Sequence, residues 1–208
     1  AIVDNGSKVN LGSFINDHYA DKLFYELGAT EVHNLDATSY EDADVIHDLN
    51  LPLPKEFYEQ YDTVIDGGTL EHVYHIPNAL NSVARLLKTG GRFIGLQPSN
   101  NWLNHGFYQF SPELMWNFCS NFGFDVIRLD LYLRTGGLPG IVPIKHPRET
   151  GRLHINTPAV PVDLFTEAEK KENKYPEFLY QYDYQDAWKD EKISSKVKKN
   201  TLNIKFGE

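Results

Sequence analysis

His105 stands in Asn104-His105-Gly106-Phe107-Tyr108, a run of turn-forming residues that follows a strand-like segment. An imidazole changes charge near neutral pH, so at such a place it suits the removal of a proton from a hydroxyl group. Tyr108 can orient that ring or hydrogen-bond a bound molecule. The alternative is that His105 and Tyr108 only brace the loop. A second group of residues is spaced for holding a nucleotide. Gly12 closes a strand-like run in Val9-Asn10-Leu11-Gly12-Ser13, where a turn without a side chain lets a ligand approach the backbone. Asp36 lies 24 residues beyond Gly12, at the end of the next strand-like run. An acid at that place accepts hydrogen bonds from ribose hydroxyls, or else serves a turn. Asp48 ends a third run, where a carboxylate can accept from an adenine amino group while Leu49 packs on the ring; a solvated loop acid is the other reading.

The elements that must position these residues are read from periodicity. Short β-branched or apolar runs predict strands at 8–11, 31–35, 44–47, 63–65, 92–96, 125–131 and 160–165. Helical spacing predicts helices at 17–27, 76–87 and 112–121, the first capped by Asp17 and closed by Gly28. Ser111-Pro112-Glu113 puts a capping serine before a proline at the first helical position. Alternating strands and helices argue for a doubly wound, Rossmann-like α/β fold with a mostly parallel sheet and helices on both faces. Ligands of such sheets bind beyond the carboxyl ends of the strands, and Gly67-Gly68 after the fourth strand leaves room there. We expect one domain over 1–167, with a glycine- and proline-rich insertion at about 134–161 that serves as a lid or as a connector. A charged, tyrosine-rich extension then covers 168–208.

The stretch Tyr61-Asp62-Thr63-Val64-Ile65-Asp66-Gly67-Gly68-Thr69-Leu70-Glu71-His72-Val73, with Arg85-Leu86-Leu87-Lys88-Thr89-Gly90-Gly91-Arg92-Phe93 after it, resembles the class I S-adenosylmethionine-dependent methyltransferases. Their pattern runs from an FD-type strand through LEHV to LLKPGG, and Thr89 stands here where proline is common. The resemblance spans about residues 8–130. It implies a seven-stranded sheet with an antiparallel last strand, and S-adenosylmethionine as cofactor. It places Gly12 and Ser13 against the methionine end, Asp36 at ribose, Asp48 at adenine, and Asp66 and Gly67 along the methionine portion. His72 would help to shape the cofactor site. Pro98-Ser99-Asn100-Asn101 and the run Asn104 to Glu113 are similar to a subgroup of methyltransferases acting on small molecules, often considered sugar-related. The expected reaction is methyl transfer to oxygen or nitrogen of a small acceptor, a sugar or secondary metabolite. Trp102 and Tyr108 are placed to stack on a ring-shaped acceptor or to pack into the core. By spacing, Gly12 and Asp36 suit a nicotinamide cofactor as well. An NAD(P)-dependent oxidoreductase and a non-catalytic methyltransferase-like binding domain are therefore the rival readings.

Composition narrows the classes. A formal charge of -9 repels phosphate backbones, so no nucleic-acid partner is expected. No apolar run approaches the roughly 18 residues of a membrane span, so no membrane partner is expected. With Cys119 as its single cysteine the chain holds no disulfide framework, and with no signal-peptide pattern a cytoplasmic setting is expected. No H-E-x-x-H or acidic ligand cluster appears, and no metal site is expected.

Overall fold

The computed structural model describes residues 19–39, 42–152 and 159–190. They belong to two compact units, Ala1–Leu51 and Pro52–Glu208.

In the first unit, α1 (Asp21–Glu26) follows Ala20, which gives no side-chain cap. Asp17, the expected cap, lies outside the described residues, as does the expected strand at 8–11. The other end of the helix is as expected. Gly28 takes φ +102°, which places its N–H on the Tyr25 carbonyl and the Ala29 N–H on the Phe24 carbonyl, at 3.0 and 2.9 Å. β1 (Leu35–Asp36) and β2 (Val45–Ile46) form a parallel pair with Leu35 opposite Val45.

The second unit is built on a five-stranded mixed sheet in the order β3-β4-β7-β5-β6. β3 (Tyr61–Asp66) and β4 (Leu87–Asn100) run parallel, joined through α2 (Ile76–Leu86). β5 (Phe124–Leu133) follows α3 (Pro112–Asn121). β7 (Val162–Lys170) is inserted antiparallel between β4 and β5, as expected of a last strand. β6 (Gly140–Pro143) pairs along the outer side of β5. A single, mostly parallel seven-stranded sheet is therefore not what the described residues form: they make sheets of five and two strands, and three of the four pairings in the larger sheet are antiparallel. The difference has two sources. β1 and β2 pair only with each other among the described residues, and β6, too short to stand out in the sequence, becomes an edge strand by folding back on β5.

Local chemistry explains the helices. In α2 the His75 Nδ1 accepts from Asn78 N–H at 3.3 Å and Pro77 sits in the first turn. Ala79, Leu80, Val83, Ala84 and Leu86 are buried along one face. The helix passes straight into β4, and four residues bulge out before pairing resumes at Thr63 opposite Arg92. Gly91 belongs in that bulge because a Cβ there would lie 2.9 Å from the Lys88 carbonyl oxygen. In α3 the Ser111 hydroxyl accepts from Leu114 N–H at 3.1 Å, as its sequence predicts. Phe118 on α3 packs against Phe93, Phe122 and Phe124, which centres the core on this helix. Cys119 is buried beside them, and burial pushes its thiol up to about 12, so it is a core side chain and not a nucleophile.

Among the described residues, the chain beyond Phe165 packs within the second unit. β7 runs to Lys170, and α5 (Tyr182–Asp190) is tied to α3 through Tyr182, whose N–H donates to Glu113 and whose hydroxyl donates to the Trp116 carbonyl. The glycine- and proline-rich stretch around 134–161 contains β6 and the short α4 (Pro147–Thr150).

Candidate functional site

β3 and β4 are parallel neighbours, so their carboxyl ends open on the same edge of the sheet. That edge is where the ligand crevice of an open α/β sheet lies. At the end of β3 the Asp66 carboxylate is buried. Its Oδ1 accepts from the N–H groups of Thr69 and Leu70 at 2.9 and 3.3 Å, and its Oδ2 accepts from Gln97 Nε2 at 2.7 Å. Asp66 thus holds the Gly67-Gly68 turn in shape and fastens it to β4. Gly67 itself is open: a Cβ there would meet nothing within 4 Å.

A 3-10 turn, Leu70–His72, then leads toward α2. Within it Glu71 is 1% exposed. Its main-chain carbonyl accepts from Phe107 N–H at 2.7 Å and Tyr108 N–H at 3.3 Å, which clamps the loop after β4 onto the turn after β3. Gly106 makes the clamp possible. It takes φ +73°, and a Cβ there would lie 2.8 Å from the Glu71 carbonyl oxygen. The clamp carries His105 to the Glu71 side chain. Glu71 Oε1 lies 3.5 Å from His105 Nε2 and 3.8 Å from His72 Nε2. The two imidazoles meet edge to face with centroids 5.2 Å apart. Burial pushes the Glu71 carboxyl above its usual range and the charge of Asp66 adds to this, while its own backbone N–H and the two imidazoles pull the other way. Its Oε2 is buried and has no hydrogen-bond partner among the described residues.

The neighbouring side chains are held from outside the loop. Trp102 Nε1 donates to Asp163 on β7 at 3.0 Å. The Trp102 ring meets His105 at 4.8 Å and the Arg134 guanidinium at 4.7 Å. The Tyr108 hydroxyl donates to the Tyr74 carbonyl at 2.6 Å, so Tyr108 fastens the loop and its proton is not directed at His105.

In the first unit, Asp36 ends β1 and Asp48 follows β2, so both lie toward one end of the parallel pair. Asp36 Oδ1 accepts from Thr38 N–H and hydroxyl at 2.7 and 3.0 Å, and the residue is exposed. Asp48 Oδ1 accepts from Asn50 N–H and Nδ2 at 2.9 and 2.8 Å, and these bonds hold its carboxyl below the usual range. Both acids therefore order a turn with one oxygen. Leu49 beside them is half-buried. Gly12 and Ser13 lie outside the described residues.

The sequence placed His72 and His105 in separate roles and passed over Glu71 and the convergence of all three, which spans 34 residues of chain from Glu71 to His105. The available signal was an acid between two apolar positions in Leu70-Glu71-His72-Val73: a carboxylate there is buried and requires a partner.

No protein-family model and no curated protein matches the chain. Solved structures do match. A Bacillus halodurans C-125 protein proposed to be a methyltransferase is 11% identical, with a TM-score of 0.50, over 74% of this chain and 87% of that one. An S-adenosylmethionine-dependent methyltransferase of Mesorhizobium loti is 15% identical, with a TM-score of 0.48, over 72% and 84%. The 1,6-didemethyltoxoflavin-N1-methyltransferase of Burkholderia thailandensis, solved with 1,6-didemethyltoxoflavin and S-adenosylhomocysteine, is 14% identical, with a TM-score of 0.47. The alignment with it covers 73% of this chain, which spans 65% of that enzyme's length. At these identities the likeness concerns the fold, and the chain has the Rossmann-like fold of the methyltransferases, with a mixed main sheet and a smaller parallel pair.

Proposed function

We propose that the protein is an S-adenosylmethionine-dependent methyltransferase that acts on oxygen or nitrogen of a small molecule. The observation that carries this reading is the end of β3, where Asp66 turns inward and leaves the Gly67 backbone bare to an approaching ligand. Asp66 then acts by shaping the turn, while Gly67 and His72 border the methionine portion. In the first unit we assign Asp36 to ribose, Asp48 and Leu49 to adenine, and Gly12 and Ser13 to the methionine end. When bound, S-adenosylmethionine would supply an electrophilic sulfonium methyl group to the acceptor, with its sulfur as the leaving group and the acceptor proton released. The protein's own task is to align the acceptor and exclude water. His105 is the acceptor-side group, and Glu71 behind it sets its position. Trp102 links His105 to Arg134, which supports placing Arg134 on the acceptor side as well. The charge of -9 favours a small acceptor over a nucleic acid. Among the described residues no helix is long and apolar enough to cross a membrane.

Two measurements test the reading. S-adenosylhomocysteine is expected to raise the melting temperature while NAD and NADP leave it unchanged. Stabilisation by the nicotinamide nucleotides instead supports the oxidoreductase, and binding of neither supports a non-catalytic domain. Asp36→Ala is expected to weaken S-adenosylhomocysteine about tenfold, the scale of one lost charge-assisted hydrogen bond; equal affinity by calorimetry removes Asp36 from the site. Once an acceptor is in hand, His105→Ala is expected to lower turnover while leaving cofactor affinity intact.

A further inference from the structure

One potential ligand atom each of Glu71, His72 and His105 lies within 4.8 Å of the others. They come from the turn after β3 and from the loop after β4, and the main-chain clamp on the Glu71 carbonyl holds those two pieces together. The cluster is therefore built by backbone bonds and does not depend on the three side chains attracting one another.

As it stands the cluster is unbalanced. Glu71 is buried, and among the described residues its ion-pair partners are His72 and His105 alone. The carboxylate stands 3.5 and 3.8 Å from those imidazoles, wider than a close charge-assisted hydrogen bond. Such a charge is costly unless it is paired or coordinates a metal. The Oε2 without a hydrogen-bond partner belongs to the same carboxylate. A divalent cation on Oε1 answers the charge deficit of that carboxylate and accepts lone pairs from all three residues.

The donor set says which cation. Two imidazole nitrogens and one carboxylate oxygen suit zinc, manganese, iron, cobalt or nickel. Calcium takes six to eight oxygens and does not suit. Tetrahedral zinc with ligands at about 2.0–2.1 Å separates its donors by roughly 3.3 Å. The two glutamate–histidine pairs stand at 3.5 and 3.8 Å, a few tenths of an ångström wider, and the whole set lies within 4.8 Å. Binding would draw the side chains together by rotation. His72 and His105 are about half exposed, at 53% and 44%, while Glu71 is inside. The ion would thus be held from the protein side and reached from the solvent side.

We propose that Glu71, His72 and His105 form a site for one divalent transition cation, with coordination positions left for a hydroxyl oxygen of the acceptor. The ion site stands on this geometry; its link to a hydroxyl acceptor rests on the methyltransferase reading. A bound cation lowers the pKa of a coordinated hydroxyl, so the acceptor proton passes to solvent water and the oxygen's electron pair is freed for the new bond to carbon. His105 then serves as a ligand, and the activation of the acceptor hydroxyl that its type and place suggested is supplied by the cation, with solvent water taking the proton.

The test is to titrate the chelator-treated full chain with Co2+, followed by visible absorption, and with Mn2+ and Zn2+ by calorimetry. One ion per chain is expected. Glu71→Gln and His105→Ala are each expected to weaken it by tenfold or more, and His146→Ala, at the N-cap of α4, is expected to leave it unchanged. His105 is partly exposed, so its variant folds even if Glu71→Gln does not. No binding, or binding equal in both site variants and the parent, overturns the proposal. S-adenosylhomocysteine binding is measured on the same samples. An ion bound without S-adenosylhomocysteine binding keeps this site and overturns the methyltransferase reading. S-adenosylhomocysteine bound without an ion overturns this site only.

Discussion

Asp66→Ala is expected to lower the free energy of unfolding by about 3 kcal/mol, roughly a hundredfold in the folding equilibrium. The side chain is 6% exposed and accepts three hydrogen bonds, two from the turn Gly67 to Leu70 and one from Gln97 on β4. Hydrogen bonds to a charged acceptor contribute about 1.5–3 kcal/mol each, and they are not additive, because the loosened turn recovers part of the loss through water. Asp66→Asn separates the bonding from the charge. Its amide oxygen still accepts from Thr69 and Leu70, and its amide nitrogen would face Gln97 Nε2, donor against donor. Gln97 Oε1 is buried without a hydrogen-bond partner among the described residues, so rotation of the Gln97 amide turns that clash into a hydrogen bond. Asp66→Asn is therefore expected to cost about 1 kcal/mol, one neutral hydrogen bond's worth. Guanidinium denaturation of the two variants checks both figures. An alanine variant within 0.5 kcal/mol of the parent, the ordinary range of a surface change, would show that the carboxylate does not hold the turn. Affinity for S-adenosylhomocysteine should fall with Asp66→Ala as well, because the Gly67 backbone loses its support.

Lys170→Met is expected to lower the unfolding free energy by about 3 kcal/mol. Lys170 is fully buried at the end of β7, an uncommon place for an ammonium group. Its Nζ donates to the carbonyls of Ala84 and Leu87, both at 2.7 Å, and to the Tyr175 hydroxyl at 3.2 Å. Those carbonyls belong to the point where α2 runs directly into β4, so the helix end has no turn of its own to cap it. Replacing a buried ion pair by an apolar side chain is often harmless because both charges go together. Here the partners are main-chain carbonyls, which remain and lose their donor, so methionine fills the space without meeting the need. Burial also holds the ammonium below its ordinary value of 10.5. Below that value and above the folded one, the unfolded chain binds more protons than the folded chain. Stability of the parent relative to Lys170→Met should therefore rise with pH as 10.5 is approached from below. Urea unfolding of parent and variant at pH 7 and across that alkaline window tests the sign.

Much of the secondary structure was legible because its causes are local. Ser111-Pro112 capped α3, Gly28 closed α1 through a positive φ, and the apolar spacing of α2 became its buried face. These features depend on residues within a turn or two of one another. β6 was missed because four residues at a sheet edge carry too little pattern, and their strand conformation comes from the ladder with β5. α5 was missed for a related reason: its charged sequence holds together by docking Tyr182 on α3.

The site divided along the same line. The sequence by itself determined which chemical groups were present, the strand-helix order that puts turns at the ends of β3 and β4, and the histidines in those turns. Only the tertiary structure decided what they make together. Asp66 became a support, because three donors converge on it from two strands. Tyr108 became a fastener, because the Tyr74 carbonyl lies within reach of its hydroxyl. Glu71 entered the site because the Gly106 turn lies against its carbonyl and brings His105 beside its carboxylate. That contact joins residues more than thirty positions apart. Its cause is the parallel pairing of β3 and β4, which brings both turns to one edge of the sheet, and sequence spacing does not carry such a long-range register.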